Sequence, residues 1–445
     1  MSSAVRRQYL ELKNTHPEAL LFFRLGDFYE LFDDDAQLAS RVLQLTLTSR
    51  EFAKGERSPM AGVPHASVET YIGRLVERGY LVAVAEQVGD LRAGKGLVER
   101  RITRVVTPGT VRDPGLLEGN RNNYLAAVLP HGQAAGIAYA DITTGEFILQ
   151  QVQAELLEPA LVRELDRIAP AEVLWPIAAR QESLPVGGDA VVDDGAAPMP
   201  PIAIPFTVSG SVMTAFPAHH FAEEPARARL IALAGADSAL TWSPYSLAIG
   251  AAGALLNYLE HTQPGSLPIL RPPIFFRASD HMTLDAPTRR NLEITHTMRG
   301  GAPSGSLLAV LDRTRTPMGG RLLRRWLSAP LVVPAPLLRR QGAVGELVEN
   351  TALRLHLLDA LTGMSDIDRV VGRAQQGNAT PRELIALCKG LDRLRTLKSI
   401  LAADDQGIES GGQALEAAGD MLAACGRALD GCDELAALIR YALVD

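Results

Sequence analysis

The stretch Leu25-Gly26-Asp27-Phe28-Tyr29-Glu30-Leu31-Phe32 joins two different textures. Upstream, Leu20-Leu21-Phe22-Phe23-Arg24-Leu25 is an unbroken apolar run that reads as extended and stops at a glycine. Downstream, Leu31, Ala39, Val42 and Leu43 recur at helical spacing, which predicts a helix of about fifteen residues opened by Asp27. Asp27 as N-cap with Glu30 at the third helical position is a capping-box arrangement, and Phe28 then packs with Phe32 one turn on. A functional reading starts from the same geometry. A first-turn phenylalanine with a carboxylate two residues later presents an aromatic wedge and a hydrogen-bonding group to something beyond the helix end.

Working outward, residues 5–14 read as a short amphipathic helix, 59–65 as a turn, 68–78 as a second helix and 81–88 as a strand. These make a mixed α/β first domain, placed at 1–112. After Thr107-Pro108-Gly109-Thr110 the texture changes. Residues 123–129, 135–142 and 146–151 are short strand-like runs between glycine-containing turns, followed by a helix at 156–168 and a strand at 172–175. A hairpin sheet with a packed helix is expected over 113–225, with a Pro/Gly-rich excursion at 183–218. From residue 226 to 445 the helical period dominates. Thr316-Pro317 and Thr380-Pro381 each pair an N-cap with proline at the first helical position. The fold class is therefore multidomain, α/β followed by all-α.

Composition narrows the function classes. The 445 residues carry 44 Lys and Arg against 51 Asp and Glu, a formal charge of -7, which excludes a uniformly basic nucleic-acid coat. Charge is uneven, however: residues 1–112 hold 16 basic and 14 acidic side chains, leaving 28 against 37 for the remainder. Within the first domain Arg92, Lys95, Arg100, Arg101, Arg104 and Arg112 face only Glu99, a concentration that suits a phosphate backbone or a solvated strand edge. Cys388, Cys425 and Cys432 lack metal-site spacing and read as free, buried thiols of a reducing cytosol. No secretory signal follows Arg6 and Arg7, and the apolar run at 247–259 is short and glycine-interrupted, as in a buried helix.

Two candidate chemistries weaken on inspection. Gly89-Asp90-Leu91-Arg92-Ala93-Gly94-Lys95-Gly96 supplies GxxxxGK, but Gly96 has no hydroxyl for Mg²⁺ and the residues after it read as extended rather than helical. Asp141, Glu146, Glu164 and Asp166 in the second domain raise a metal-dependent nuclease, yet their spacing shows no convergence on one point. Asp141-Ile142-Thr143-Thr144-Gly145 reads more economically as a side-chain-stabilised turn. His219-His220 has no partner close in sequence.

Several ordered blocks carry a family likeness. Gly26-Asp27-Phe28-Tyr29-Glu30-Leu31-Phe32, Pro59-Met60-Ala61-Gly62-Val63-Pro64, Gly96-Leu97-Val98-Glu99-Arg100 and Val106-Thr107-Pro108-Gly109-Thr110 resemble the mismatch-binding domain of the bacterial MutS family. Asn123-Tyr124-Leu125-Ala126-Ala127 and Asp141-Ile142-Thr143-Thr144-Gly145-Glu146-Phe147 resemble its connector domain, which has an RNase H-like fold without nuclease activity. Asp285-Ala286-Pro287-Thr288-Arg289-Arg290-Asn291-Leu292-Glu293, Ser306-Leu307-Leu308 and Thr316-Pro317-Met318-Gly319 resemble its helical core and lever.

The resemblance implies DNA mismatch recognition in repair. Phe28 wedges beside a mispaired base from the minor groove and Glu30 hydrogen-bonds that base. Met60, Arg100, Arg101 and Arg104 are candidate backbone contacts, which set register rather than specificity. Implied partners are double-stranded DNA with mismatches or small loops, a second copy as homodimer, and a MutL-type repair protein at the connector domain. The implied location is the cytoplasm of a bacterium, on the nucleoid. The family ends in an ATPase domain that uses ATP and Mg²⁺ and carries a DNA-gripping clamp. Neither pattern occurs before Leu443-Val444-Asp445, so the expectation is a fragment or truncated product, with incomplete core and lever, no cofactor, no metal and no enzymatic activity of its own. The alternatives are the RNase H-like metal-dependent nuclease and a protein-binding scaffold.

Overall fold

The structure, a computed structural model, describes residues 2–53, 56–88, 98–177, 207–208, 210–235, 239, 241–405 and 413–443. The GxxxxGK stretch, with Arg92 and Lys95, and most of the Pro/Gly-rich excursion lie outside them. The chain divides into two compact units, one of residues 1–117, 123–142 and 146–275, the other of 118–122, 143–145 and 276–445.

The first unit begins with α1 (Ser2–Thr15), β1 (Leu20–Leu25), β2 (Phe28–Phe32), α2 (Asp33–Leu43), β3 (Thr48–Ala53), β4 (Glu56–Pro64), α3 (Val68–Val76), β5 (Val82–Val88) and β6 (Glu99–Val106). Its sheet has the order β3-β4-β2-β1-β5-β6, all neighbours antiparallel except β1 and β5. The helix expected from Asp27 is corrected here. Residues 28–32 form a strand, joined to β1 by a two-residue turn in which Gly26 takes φ +63°. Tyr29 and Leu31 are buried on one face, and Phe28 and Glu30 are directed to the other, the period-two alternation of a strand. The helix starts only at Asp33, whose left-handed φ of +53° breaks the extended run. Buried Asp35 then anchors the first turn, accepting from the Leu21 amide at 2.9 Å and pairing with Lys13 at 2.9 Å. The predicted turn at 59–65 is likewise strand β4 for most of its length.

Two hydrophobic layers hold this sheet. On one face Tyr9 of α1 meets Phe23 and Phe32 edge-on, with ring centroids 5.6 and 4.9 Å apart. On the other, Ala36 and Ala39 of α2 and Ile72 and Leu75 of α3 pack on Phe22, Leu31 and Val84.

A second sheet follows, from β7 (Leu125–His131), β8 (Ala134–Asp141), β9 (Glu146–Gln153), α4 (Leu157–Ile168), β10 (Glu172–Ile177) and β11 (Val212–Pro217). β7, β8 and β9 form an antiparallel meander, and β10 and β11 add in parallel beside β7. The expected excursion therefore ends before residue 212. Helices α5 (Glu223–Ala234) and α6 (Ser246–Thr262) close one face, burying Leu230, Ile249, Ala252 and Leu255 against Leu125, Ala138 and Leu149. The boundary expected at residue 226 accordingly moves to about residue 275, after strand β12 (Ile274–Phe275), which pairs with β9. Glycines on both sides allow the close approach of α6: a Cβ at Gly136 on β8 would lie 2.0 Å from the Leu247 carbonyl, and one at Gly250 of α6 2.7 Å from Leu129 Cδ2. As predicted for 247–259, this helix is buried, and no helix among the described residues is long and apolar enough to cross a membrane.

The two sheets of the first unit meet through Thr107-Pro108-Gly109-Thr110. Glu172, fully buried on β10, accepts from the Thr107 hydroxyl, the Gly109 amide at 3.0 Å, the Thr214 hydroxyl at 2.7 Å and the Tyr258 hydroxyl at 2.6 Å. Burial and the adjacent Glu172 charge push the Tyr258 phenol well up from its ordinary value.

The second unit is helical: α7 (Ala286–Asn291), α8 (Leu307–Leu311), α9 (Pro317–Ser328), α10 (Pro334–Glu349), α11 (Thr351–Leu361), α12 (Ile367–Gln375), α13 (Pro381–Asp405), α14 (Gln413–Ala428) and α15 (Asp433–Ala442). The predicted caps are present. Thr316 accepts from the Gly319 amide at 3.1 Å, and Thr380 and Glu383 form a reciprocal box. Arg321, 6% exposed, makes a forked pair with Asp366 at 2.6 and 2.8 Å and donates to the Gly119 carbonyl at 2.9 Å. The thiol expectation is met by Cys388 alone, since Cys425 and Cys432 are exposed.

Candidate nucleic-acid interface

Phe28 is the first residue of β2 and is 47% exposed, although the strand it belongs to is interior to the sheet. Its backbone is fixed from both sides, paired with Leu25 of β1 and with Pro64 of β4. At the turn, the His65 amide donates to the Asp27 carbonyl at 2.8 Å and the Arg24 guanidinium holds the Gly26 carbonyl. Arg24 also lies 5.2 Å from the centroid of the Tyr29 ring, and the Tyr29 hydroxyl donates to Glu86. Burial, then the Glu86 bond, push the Tyr29 phenol up. The backbone that carries this exposed ring is thus held by both neighbouring strands, which lowers the cost of ordering it on insertion into a partner.

Glu30 is two residues further along the same face. Its cross-strand neighbours are Phe23 and Gly62. Gly62 leaves the face low, so that an added Cβ would stand only 3.7 Å from Glu30 Cγ. Across this gap Arg50 of the edge strand β3 forms an ion pair with the Glu30 carboxylate. The Glu30 side chain is 14% exposed and that of Arg50 38%. Arg50 shares the face through its register with Ser58 on β4, two residues before Met60. No sequence spacing joins Arg50 to Glu30; only the β3-β4-β2 register could have found it.

The remaining candidates separate. Met60 lies on β4 opposite Phe32 and is partly buried against the Tyr9, Phe23 and Phe52 cluster, so it is a strand packing residue rather than a turn residue. Arg100 is 6% exposed. It donates to the Arg24 carbonyl at 2.7 Å, Gln8 Oε1 at 3.1 Å and the Val98 carbonyl at 2.7 Å, and sits 5.0 Å from the Phe23 ring centroid. Burial and the neighbouring Arg50 charge lower its pKa from the usual arginine value. These contacts tie Nε and Nη1 of its guanidinium to the fold. Arg101 is exposed on β6 and paired with Glu99 at 2.7 Å, and Arg104 is paired with Glu69 on α3. Among the described residues of the basic run, Arg101 is the side chain most open to an external phosphate.

The carboxylates of the second sheet have separate partners. Asp141 accepts from the Asn123 amide at 3.2 Å, Glu146 from the Tyr124 hydroxyl at 2.7 Å, and Glu164 from Gln150 at 2.8 Å and Arg167 at 2.9 Å. Burial pushes the Glu164 carboxyl up, but Arg167, Gln150 and Arg163 together outweigh it and hold the group below its usual value. Among the described residues no three His, Cys, Asp or Glu side chains are grouped to hold a metal ion. The nuclease alternative therefore finds no converging carboxylates.

Comparison with known proteins gives three family matches in chain order. Residues 3–114 match the family model described as MutS domain I, 123–271 that of MutS domain II and 287–445 that of MutS domain III. The chain is 43% identical over 398 residues to the DNA mismatch repair protein MutS of Pelotomaculum thermopropionicum, covering 89% of this chain and 44% of that protein. It is 42% identical over 419 residues to the protein of the same name from Synechococcus sp. (strain JA-2-3B'a(2-13)), covering 89% and 46%. The corresponding protein of Dehalococcoides mccartyi (strain ATCC BAA-2266 / KCTC 15142 / 195) is 40% identical over 395 residues, with coverage of 88% and 43%. The chain thus spans less than half the length of these relatives. Consecutive matches to domains I, II and III, with relatives aligned across nine-tenths of its length, place this chain in the MutS family.

Proposed function

We propose that this chain recognises mispaired or looped DNA through the face that carries Phe28 and Glu30. One observation carries the reading: an exposed phenylalanine stands at the end of a strand laddered on both sides, with a carboxylate on the same face. The minor groove has a degenerate pattern of donors and acceptors, so one protein cannot read every mismatch there by base edges. Deformability is readable instead. Inserting an aromatic ring and kinking the duplex costs about a few kcal/mol per unstacked step, and less where pairing is already defective. Phe28 is the wedge in this reading. Glu30 adds a geometric filter, since its carboxylate gains only where a base edge offers it a donor and is otherwise unfavourable near phosphates.

The second sheet, a three-strand antiparallel meander extended by two parallel strands, supports reading residues 123–275 as the RNase H-like connector. The helical unit is read as core and lever. A MutL-type protein at the connector, a homodimer, and ATP with Mg²⁺ in other parts of a longer protein are carried over from the family as proposals. The wedge mechanism itself draws on none of them.

Equilibrium binding of the whole chain to a duplex with one G·T mismatch and to its matched counterpart, at one fixed salt concentration, tests the reading. The parent chain should prefer the mismatch and Phe28→Ala should lose that preference. Full preference retained in Phe28→Ala removes the wedge.

A further inference from the structure

We infer that Arg50 is a positioning residue that sets mismatch specificity by controlling the Glu30 carboxylate. This rests on the role proposed above for Glu30. Among the described residues Arg50 is the cation ion-paired with Glu30, and it reaches that carboxylate from the edge strand across the low surface at Gly62. Arg100 makes no ion pair with Glu30; its Nε and Nη1 donors are directed instead to Arg24, Gln8 and Val98.

Arg50 affects the two kinds of duplex differently. On matched DNA its guanidinium offsets the repulsion between Glu30 and the phosphates, since a buried or half-buried charge is tolerated when paired. On mismatched DNA it competes with the base edge for the same carboxylate oxygens. Removing it therefore weakens binding to matched DNA and relieves a competitor on mismatched DNA. Both changes raise the ratio of mismatched to matched affinity. If Arg50 instead contacted a phosphate directly, its removal would lower both affinities together and leave the ratio unchanged.

The test measures that ratio for the whole chain by fluorescence anisotropy with labelled G·T and matched duplexes. The variants are Arg50→Gln, Arg50→Lys, Glu30→Gln and the Glu30→Gln/Arg50→Gln double variant. Arg50→Gln should raise the ratio about fivefold, the upper range for a partly exposed ion pair. Arg50→Lys keeps the charge and should stay within about twofold of the parent. The double variant should have the ratio of Glu30→Gln alone, because Arg50 acts through that carboxylate. An unchanged ratio in Arg50→Gln, or the same change with and without Glu30, overturns the inference. So does a Glu30→Gln ratio equal to the parent's when Phe28→Ala abolishes preference, and in that case the wedge survives. A parent ratio of one overturns the mismatch reading and this inference with it.

Discussion

Replacing Glu172 with leucine tests whether the buried carboxylate holds the two sheets of the first unit together. The substitution removes the acceptor of four donors, from Thr107, Gly109, Thr214 and Tyr258. Two of these have an escape. Thr107 can turn to the Thr110 hydroxyl 3.0 Å away, and Thr214 is only partly buried and can reach water. The Gly109 amide is left orphaned, and the Tyr258 hydroxyl exchanges a carboxylate for a weaker neutral partner, the neighbouring Thr107 hydroxyl. At about 1–3 kcal/mol for each buried donor, the gross cost is about 2–6 kcal/mol. Losing the desolvation cost of a buried carboxylate returns part of this, for a net loss near 3 kcal/mol. Urea unfolding of a Trp326→Phe background reads the effect, because the remaining indoles, Trp175 and Trp242, are both fully buried in the first unit. With a slope near 3 kcal/mol per molar, the midpoint should fall by about 1 M. A loss below about 1 kcal/mol would refute the donor accounting.

Other outcomes follow from single contacts. Arg100→Ala should cost about 2–3 kcal/mol of stability in the same urea assay, whereas a surface phosphate contact would leave the midpoint unchanged. Gly136→Ala places a methyl 2.0 Å from the Leu247 carbonyl and should lower the thermal midpoint, with a penalty of about 2 kcal/mol as α6 is displaced. His220 is pushed down to about 4 by burial, His219 and His261. In the unfolded chain a histidine titrates near 6.5, so the neutral folded form is favoured fully above that pH and the advantage is lost as pH falls toward 4. His220→Asn should flatten this stretch of the stability profile between pH 7 and 4.

Much of the fold was legible because its signals are local. The apolar run of β1, the alternation in β7 to β9 and the Thr-Pro caps of α9 and α13 are each set by residues within a few positions of one another. The segment from Phe28 to Phe32 was misread for a physical reason. Phe28, Leu31 and Phe32 fit a helical stripe as well as a pleat, and five residues are too few to separate the two periods. Asp27 and Glu30 also mimic a capping box that the left-handed Asp33 makes impossible to use. Phe28 and Glu30 could be singled out because they are neighbours in sequence. Arg50, twenty residues beyond Glu30, enters the same surface only through the pairing of three strands, and Glu172 meets Thr107 only through the packing of two sheets. Composition likewise cannot distinguish a guanidinium turned outward from one folded against Phe23, as that of Arg100 is.

The strand beneath Phe28 also has a mechanical consequence. A ring at the tip of a helix would pass any pull from bent DNA to one terminal turn, whose bonds can fray singly. A pull directed along β2 would load its ladders to β1 and β4 in shear, so that their bonds must yield together. In the role proposed for Phe28, this anchor would sustain the recoil of a kinked duplex without unzipping.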